Sequence, residues 1–208
     1  MTADAGPFPP GFFERADPSP DRDFYGPTRL VTHIDERAID AVGSLYAELG
    51  IRGRVLDLMA SWVSHFRSAP ETLVLLGLNP EELSVNRQAR GAVVADLNAG
   101  AGLPFRSETY DAATCCVSVD YLTDPLHVFS EVRRVLRGGA PFVCTFSNRC
   151  FPTKAIRGWL YSTDAEHCAI VARYFELSGG WERPVVQQRT PVGQPGDPLF
   201  AVWARKRR

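Results

Sequence analysis

The stretch "YDAATCCVSVDYLTDPLHVFSEVRRVLRGGAPFVCTF", residues 110–146, holds an apolar run, a helix signal and a second apolar run in one piece. The runs "AATCCVSV" at 112–119 and "PFVCTF" at 141–146 predict strands. Between them Asp124 can cap a helix, Pro125 fits its first turn, Leu126, Phe129, Val132 and Leu136 share one face, and Gly138 ends it. Strand, helix and strand in that order form a βαβ unit, whose two strands run parallel.

Upstream lie three more short apolar runs, "RVLDL" at 54–58, "LVLLGL" at 73–78 and "AVVADL" at 92–97. Their near-continuous hydrophobicity is that of parallel strands covered on both faces. Before them, Ile39, Val42, Leu45, Tyr46 and Leu49 recur at helical spacing from Asp35 to Leu49, with Gly50 as a stop. After the βαβ unit a helix is predicted from about Thr163 to Leu177, then two β segments, "RPVVQQRTPVG" and "PLFAVWARK", joined by a Pro/Gly-rich turn. The fold class is therefore α/β: a doubly wound, mostly parallel sheet of about seven strands closed by a terminal antiparallel hairpin. Residues 1–27, rich in Pro, Gly, Phe and Asp without periodicity, read as an extended N-terminal arm ahead of one domain at 28–208. The arm's aromatics, Phe8, Phe12, Phe13, Phe24 and Tyr25, predict that part of it lies on the body.

Composition narrows the function. The 208 residues, 45% hydrophobic and 23% charged, support one sizeable core. A net charge of −1 gives no global reason to expect nucleic acid or an acidic membrane, and the basic "ARKRR" at the end reads as a solubilising tail. No apolar run is long enough to span a bilayer, and "MTADAGPFPP" lacks the basic-then-apolar order of a secretory signal, so a cytoplasmic location is expected. Five cysteines, an odd count without CxxC, read as reduced core residues, with Cys115 and Cys116 on opposite faces of a strand. The four histidines lack ligand spacing, so no metal site is expected.

The order "VLDLMASW … LVLLGLNPEEL … VVADLNAGAGLPFRSETYDAATCCVSVDYLTDPLHVFSEVRRVLRGGAPFVCTFSN", over about residues 50–150, resembles the class I S-adenosylmethionine-dependent methyltransferases. Its most specific piece is the acidic residue after the third strand, the "LPF" turn, the "YD" entry to the fourth strand and the helix before "LRGGA". The resemblance implies S-adenosylmethionine as cofactor, bound outside the carboxyl ends of the strands where strand order reverses.

The first of those strand ends departs from the family. Where a Gly-rich turn is usual, Asp57 is kept but Met59, Ala60, Ser61 and Trp62 follow it, with no glycine. Ala60 and Ser61 are small, and Ser61 can cap a helix expected to follow and leave its amides facing a ligand. After the second strand Asn79 stands where the family offers a ribose-binding acid, and "NP" followed by two glutamates is equally a helix start. Asp96 with Leu97 and Asn98 resembles the adenine contact. Ser118, Asp120 and Tyr121 follow the fourth strand, where the family lines its transfer pocket; the resemblance makes Asp120 a base or a holder of a substrate cation and lets Tyr121 close over the sulfonium.

Ser147, Asn148 and Arg149 follow the fifth strand and are expected substrate contacts, with Lys154 and Trp159 beyond them. Tyr25, Arg29 and His33 in "FYGPTRLVTHID" can fold over the site, His33 as a base. His65 lies beside the first loop, while His127 and His167 read as helix-surface residues. The expected reaction is methyl transfer to a small-molecule acceptor, the chain having little beyond its core to dock a macromolecule. Two alternatives stay open: a non-catalytic methyltransferase-like binding or partner protein, and a nicotinamide-dependent oxidoreductase, against which the missing GxGxxG turn counts. The acceptor atom and the oligomeric state are not legible.

Overall fold

The computed structural model describes residues 7–208, so the start of the expected arm, residues 1–6, lies outside them. Seven strands form one sheet: β1 (Arg54–Leu58), β2 (Thr72–Gly77), β3 (Gly91–Val94), β4 (Ala112–Cys116), β5 (Pro141–Phe146), β6 (Val185–Gln188) and β7 (Phe200–Arg205). Their order is β3-β2-β1-β4-β5-β7-β6. β3 through β5 pair in parallel, and β7 joins β5 and β6 antiparallel, giving the terminal hairpin. Strand order reverses between β1 and β4, and a crevice opens there at the carboxyl ends.

The helices are α1 (Asp21–Tyr25), α2 (Glu36–Glu48), α3 (Pro80–Ser84), α4 (Pro125–Val135), α5 (Arg157–Leu160) and α6 (Asp164–Ser178). α2 forms where the apolar periodicity predicts a helix and is capped by Asp35; it buries Val42, Leu45 and Tyr46 with Leu73, Leu75 and Val143 on one face of the sheet. On the other face α4 and α6 enclose Phe129, Phe142, Tyr174, Phe175 and Trp181. Cys115 and Cys116 fall on these opposite sides, and the five cysteines are free. His167 is not a surface residue: it is 6% exposed, stacked on Trp159 at 3.9 Å, with Nε2 2.9 Å from the Trp159 carbonyl oxygen.

Two further sequence expectations need correcting. No helix follows β1; residues 59–71 cross to β2 without regular structure, so Ser61 caps nothing. The side chains a helix would have turned outward are drawn into long-range contacts. Ser64 donates to the buried Asp57 carboxylate at 2.6 Å, Trp62 Nε1 donates to the Val31 carbonyl at 3.0 Å, and Phe66 packs on Tyr46 at 4.7 Å. The arm, in turn, is not extended throughout, since α1 lies inside it, and it docks closely. Phe8, Phe12 and Phe13 pack against the α4/α6 core, the Asp17 amide donates to the Thr153 carbonyl at 2.9 Å, and the Arg157 amide donates to the Glu14 carbonyl at 2.7 Å.

Candidate functional site

A cavity of about 330 Å³ fills the crevice, within the roughly 300–1,000 Å³ usual for small-molecule sites. The ends of β1 to β4, the arm and the segment after β5 all contribute to its wall.

The β1 end is its most altered part. Asp57 is 6% exposed and accepts hydroxyl hydrogen bonds from Ser64 at 2.6 Å and Thr114 at 2.7 Å, while burial pushes its pKa up to about 6. Met59 turns the chain at φ 52°, and the Ala60 amide then donates to the Leu76 carbonyl at 2.9 Å, laying the loop over β2. Only glycine permits that approach, because a Cβ on Gly77 would stand 2.2 Å from the Ala60 carbonyl oxygen. At the end of β4, Val117 also has a left-handed backbone, at φ 47°. Left-handed conformations are costly for such side chains, above all a β-branched one, and cluster at functional sites; Met59 and Val117 both line this cavity.

At the β2 end Asn79 lines the cavity with an amide that is fully committed. Its Oδ1 accepts from the Glu81 and Glu82 amides at 3.0 and 3.1 Å, capping α3, and its Nδ2 donates to the carbonyls of Tyr25 and Gly26 at 3.1 and 2.8 Å. An asparagine side chain offers two donors and one carbonyl oxygen with two lone pairs, and all are used. The carboxylate facing the cavity here is Glu82, which accepts from Ser61 Oγ at 2.5 Å and from the Arg29 amide at 2.7 Å. Its place in "NPEEL" gave no sign of this, because both donors come from distant segments.

After β3, Asp96 and Leu97 line the cavity, and Asp96 Oδ1 accepts from the Asn98 amide at 2.8 Å. Asn98 is a junction: Nδ2 donates to Asp21 at 2.8 Å and to the Tyr121 carbonyl at 2.9 Å, while Oδ1 accepts from the Thr123 amide and hydroxyl. Asp21 is buried and also meets Arg15 at 2.6 Å. Lys154, 0% exposed, lies 3.4 Å from Asp21 and 3.0 Å from Asp17 and donates to the Ser19 carbonyl at 2.8 Å. Lys154 therefore anchors the arm from below instead of facing a ligand.

The remaining residues separate into two groups. Ser118, Tyr121, Tyr25, Arg29, His33 and Arg149 line the cavity. Asp120, Ser147 and Asn148 are absent from its wall. Asp120 is 3% exposed, and burial pushes its pKa up to about 8, so it is protonated near neutrality. Ser147 is buried and Asn148 faces solvent. Among the wall residues that the sequence does not mark as site residues, three more stand out beside Glu82. Phe151 gathers Phe24 at 5.2 Å, His33 at 5.3 Å, Tyr121 at 6.2 Å and Tyr25 at 6.3 Å, and its amide donates to the Tyr121 hydroxyl. Cys116 is the second, a thiol pushed up to about 12 by burial. Tyr46 is the third, coming from α2. Desolvation lowers the pKa of His33, with Glu82 opposing and Arg29 reinforcing; desolvation and then His33 lower that of His65, which lines the same wall.

A family model described as a methyltransferase domain matches residues 50–144. That part of the chain is similar to a methyltransferase domain. Its fold is that of the class I S-adenosylmethionine-dependent methyltransferases, including the seven-stranded sheet and terminal hairpin. The 1,6-didemethyltoxoflavin-N1-methyltransferase of Burkholderia thailandensis, solved with 1,6-didemethyltoxoflavin and S-adenosylhomocysteine, is 18% identical with a TM-score of 0.59, over 84% of this chain and 80% of that one. An S-adenosylmethionine-dependent methyltransferase of Mesorhizobium loti is 17% identical with a TM-score of 0.54, over 81% and 100%. The [4+2]-cyclase SpnF matches at 14% identity and a TM-score of 0.54, over 81% of each chain, so this fold also hosts another reaction. No curated protein matches the chain by sequence. Among the described residues no group of three or more His, Cys, Asp and Glu could hold a metal ion, and no helix is long and apolar enough to cross a membrane.

Proposed function

We propose that the protein transfers a methyl group from S-adenosylmethionine to a small-molecule acceptor. The observation that carries this reading is the cavity at the strand-order reversal of a methyltransferase-like domain, lined by carboxylates at three successive strand ends: Asp57, Glu82 and Asp96. The residues fit the cofactor in a rearranged form. Asp96 and Leu97 would hold the adenine, Glu82 would take the ribose contact that Asn79 cannot offer, and Met59, Ala60 and Ser61 would border the methionine portion, over a Gly77 that lets the backbone approach. When bound, the cofactor supplies an electrophilic methyl on a positively charged sulfur.

The chain's own residues supply position, dryness and a proton acceptor. Tyr25, Tyr121 and Phe151 close one side with aromatic surface, and the arm covers the opening. Proton acceptance falls to His33 in place of Asp120: its lowered pKa leaves the imidazole unprotonated and free to accept a proton at neutral pH, whereas Asp120 is protonated and outside the wall. A cavity of this size, walled by the strand ends and the arm, supports a small acceptor over a macromolecule. The committed Asn79 amide and the helix-free β1 crossover favour the second reading, a non-catalytic binding protein, against which the open cavity counts.

Calorimetric titration with S-adenosylmethionine, S-adenosylhomocysteine and NAD separates these readings. We expect the first two to bind and NAD not to, and Asp96→Ala to weaken S-adenosylhomocysteine roughly tenfold. Asp111→Ala, altered at the far end of β4 where Asp111 pairs with Arg137, should leave binding unchanged. Absence of binding by both sulfur compounds would sink the methyltransferase reading.

A further inference from the structure

The charges around the cavity are unevenly matched. Each carboxylate in its wall already has donors from the protein: Asp21 from Arg15 and Asn98, Asp57 from Ser64 and Thr114, Glu82 from Ser61 and the Arg29 amide, Asp96 from the Asn98 amide. Of the two guanidinium groups in the wall, that of Arg149 is 66% exposed and approaches Asp197 at 3.9 Å. That of Arg29 forms no salt bridge among the described residues, although it is half-buried.

Arg29 is nonetheless held in place from several sides. Its Nη1 donates to the carbonyls of Phe24 at 2.9 Å and Pro27 at 3.3 Å, and its Cζ lies 4.9 Å from the Phe24 ring centroid and 6.0 Å from that of Phe151. The backbone is pinned separately, by the amide bond to Glu82. These contacts use one nitrogen and leave Nε–H and the Nη2 hydrogens, the fork that matches a planar carboxylate with two parallel hydrogen bonds. A half-buried charge without a counter-ion is costly, and a pre-oriented one loses little entropy when a counter-ion arrives.

We propose that Arg29 is the receptor for a ligand carboxylate in this cavity. The inference rests on the cavity being a cofactor and acceptor site, and it names the chemistry of one contact there. Two sources present that chemistry: the methionine tail of the cofactor, or a carboxylate on the methyl acceptor.

The test uses the full chain and its Arg29→Gln and Arg29→Lys variants, which keep the amide bond to Glu82. Each is titrated with S-adenosylhomocysteine, with 5′-methylthioadenosine, which lacks the amino-acid carboxylate, and, once loaded with S-adenosylhomocysteine, with benzoate and neutral benzamide. A cofactor source predicts that Arg29→Gln weakens S-adenosylhomocysteine roughly tenfold or more and leaves 5′-methylthioadenosine unchanged, with Arg29→Lys between. An acceptor source predicts unchanged S-adenosylhomocysteine and a similar loss for benzoate, with benzamide unaffected. The proposal is overturned if Arg29→Gln alters none of these affinities, or weakens the carboxylate-bearing and carboxylate-free compounds equally. Should neither sulfur compound bind the unaltered protein, the methyltransferase reading fails on its own, and benzoate against benzamide on the free protein decides the role of Arg29 by the same criterion.

Discussion

Between β4 and β5 the chain makes an 11-residue helix, α4, whereas between β1 and β2 it makes none. The first crossover buries Val128, Phe129, Val132 and Val135 and is held by apolar area. The second is held by side-chain hydrogen bonds. Asn86 donates to the Ser61 carbonyl and to Ser64 Oγ, Gln88 donates to the Phe66 carbonyl, and Ser64 reaches Asp57. Apolar packing tolerates small displacements and resists solvent, while a polar clamp fixes orientation and fails when one member is lost. The contrast places rigidity from bulk beneath the sheet and directional contacts where a ligand would sit.

The largest expected effect breaks the apolar side. Phe129 is 0% exposed and meets Phe142, Tyr174 and Phe175 at 4.8–5.6 Å, so Phe129→Ala should cost about 3–5 kcal/mol in urea unfolding. The β1–β2 loop should keep its native hydrogen exchange in whatever fraction stays folded. Asn86→Ala is the counterpart on the clamped side, with an expected cost of about 1–3 kcal/mol. Its signature should be local, with faster exchange at residues 59–66 and little change in α4; a uniform change would erase the distinction between the halves.

These two sides were not equally legible in the sequence. α4 and its strands could be read because cap, periodicity and stop all lie within residues 124–138. The β1–β2 loop could not, since each of its contacts is set by another segment: Trp62 by Val31, Ser61 by Glu82, Ser64 by Asp57. A serine after a strand reads locally as a helix cap, and only the partners redirect it. Asn79 was legible as a helix start, but the saturation of its amide depends on carbonyls 53 and 54 residues earlier. Asp120 illustrates a further limit, as position after β4 is visible in sequence while burial beneath the wall is not.

The smallest effect is one of pH. The folded-state pKa of Asp120 is raised from 3.8 to about 8 by burial, so the folded chain keeps a proton that the unfolded chain releases. Its contribution to stability is fully present below the unfolded value and is lost as pH rises toward about 8. Asp57, raised to about 6, adds the same sign over the lower part of that window. Asp120→Asn should flatten the fall in unfolding free energy between about pH 6 and 8, where one proton can contribute at most about 1.4 kcal/mol per pH unit. A slope identical in the variant would show that the carboxyl does not carry this dependence.

The docking of the arm by Lys154 also sets an order of events during biosynthesis. Lys154 follows Asp17 by 137 residues, so at about 5–20 residues per second the arm leaves the ribosome roughly 7–27 s before its buried anchor exists. Until then Phe12, Phe13 and Tyr25 stay in water beside a half-made sheet, and Asp21 lacks its Lys154 partner. The wall of the cavity is thus completed by two segments that meet late, and a nascent chain interrupted before residue 154 would have strands β1 to β5 and no finished site.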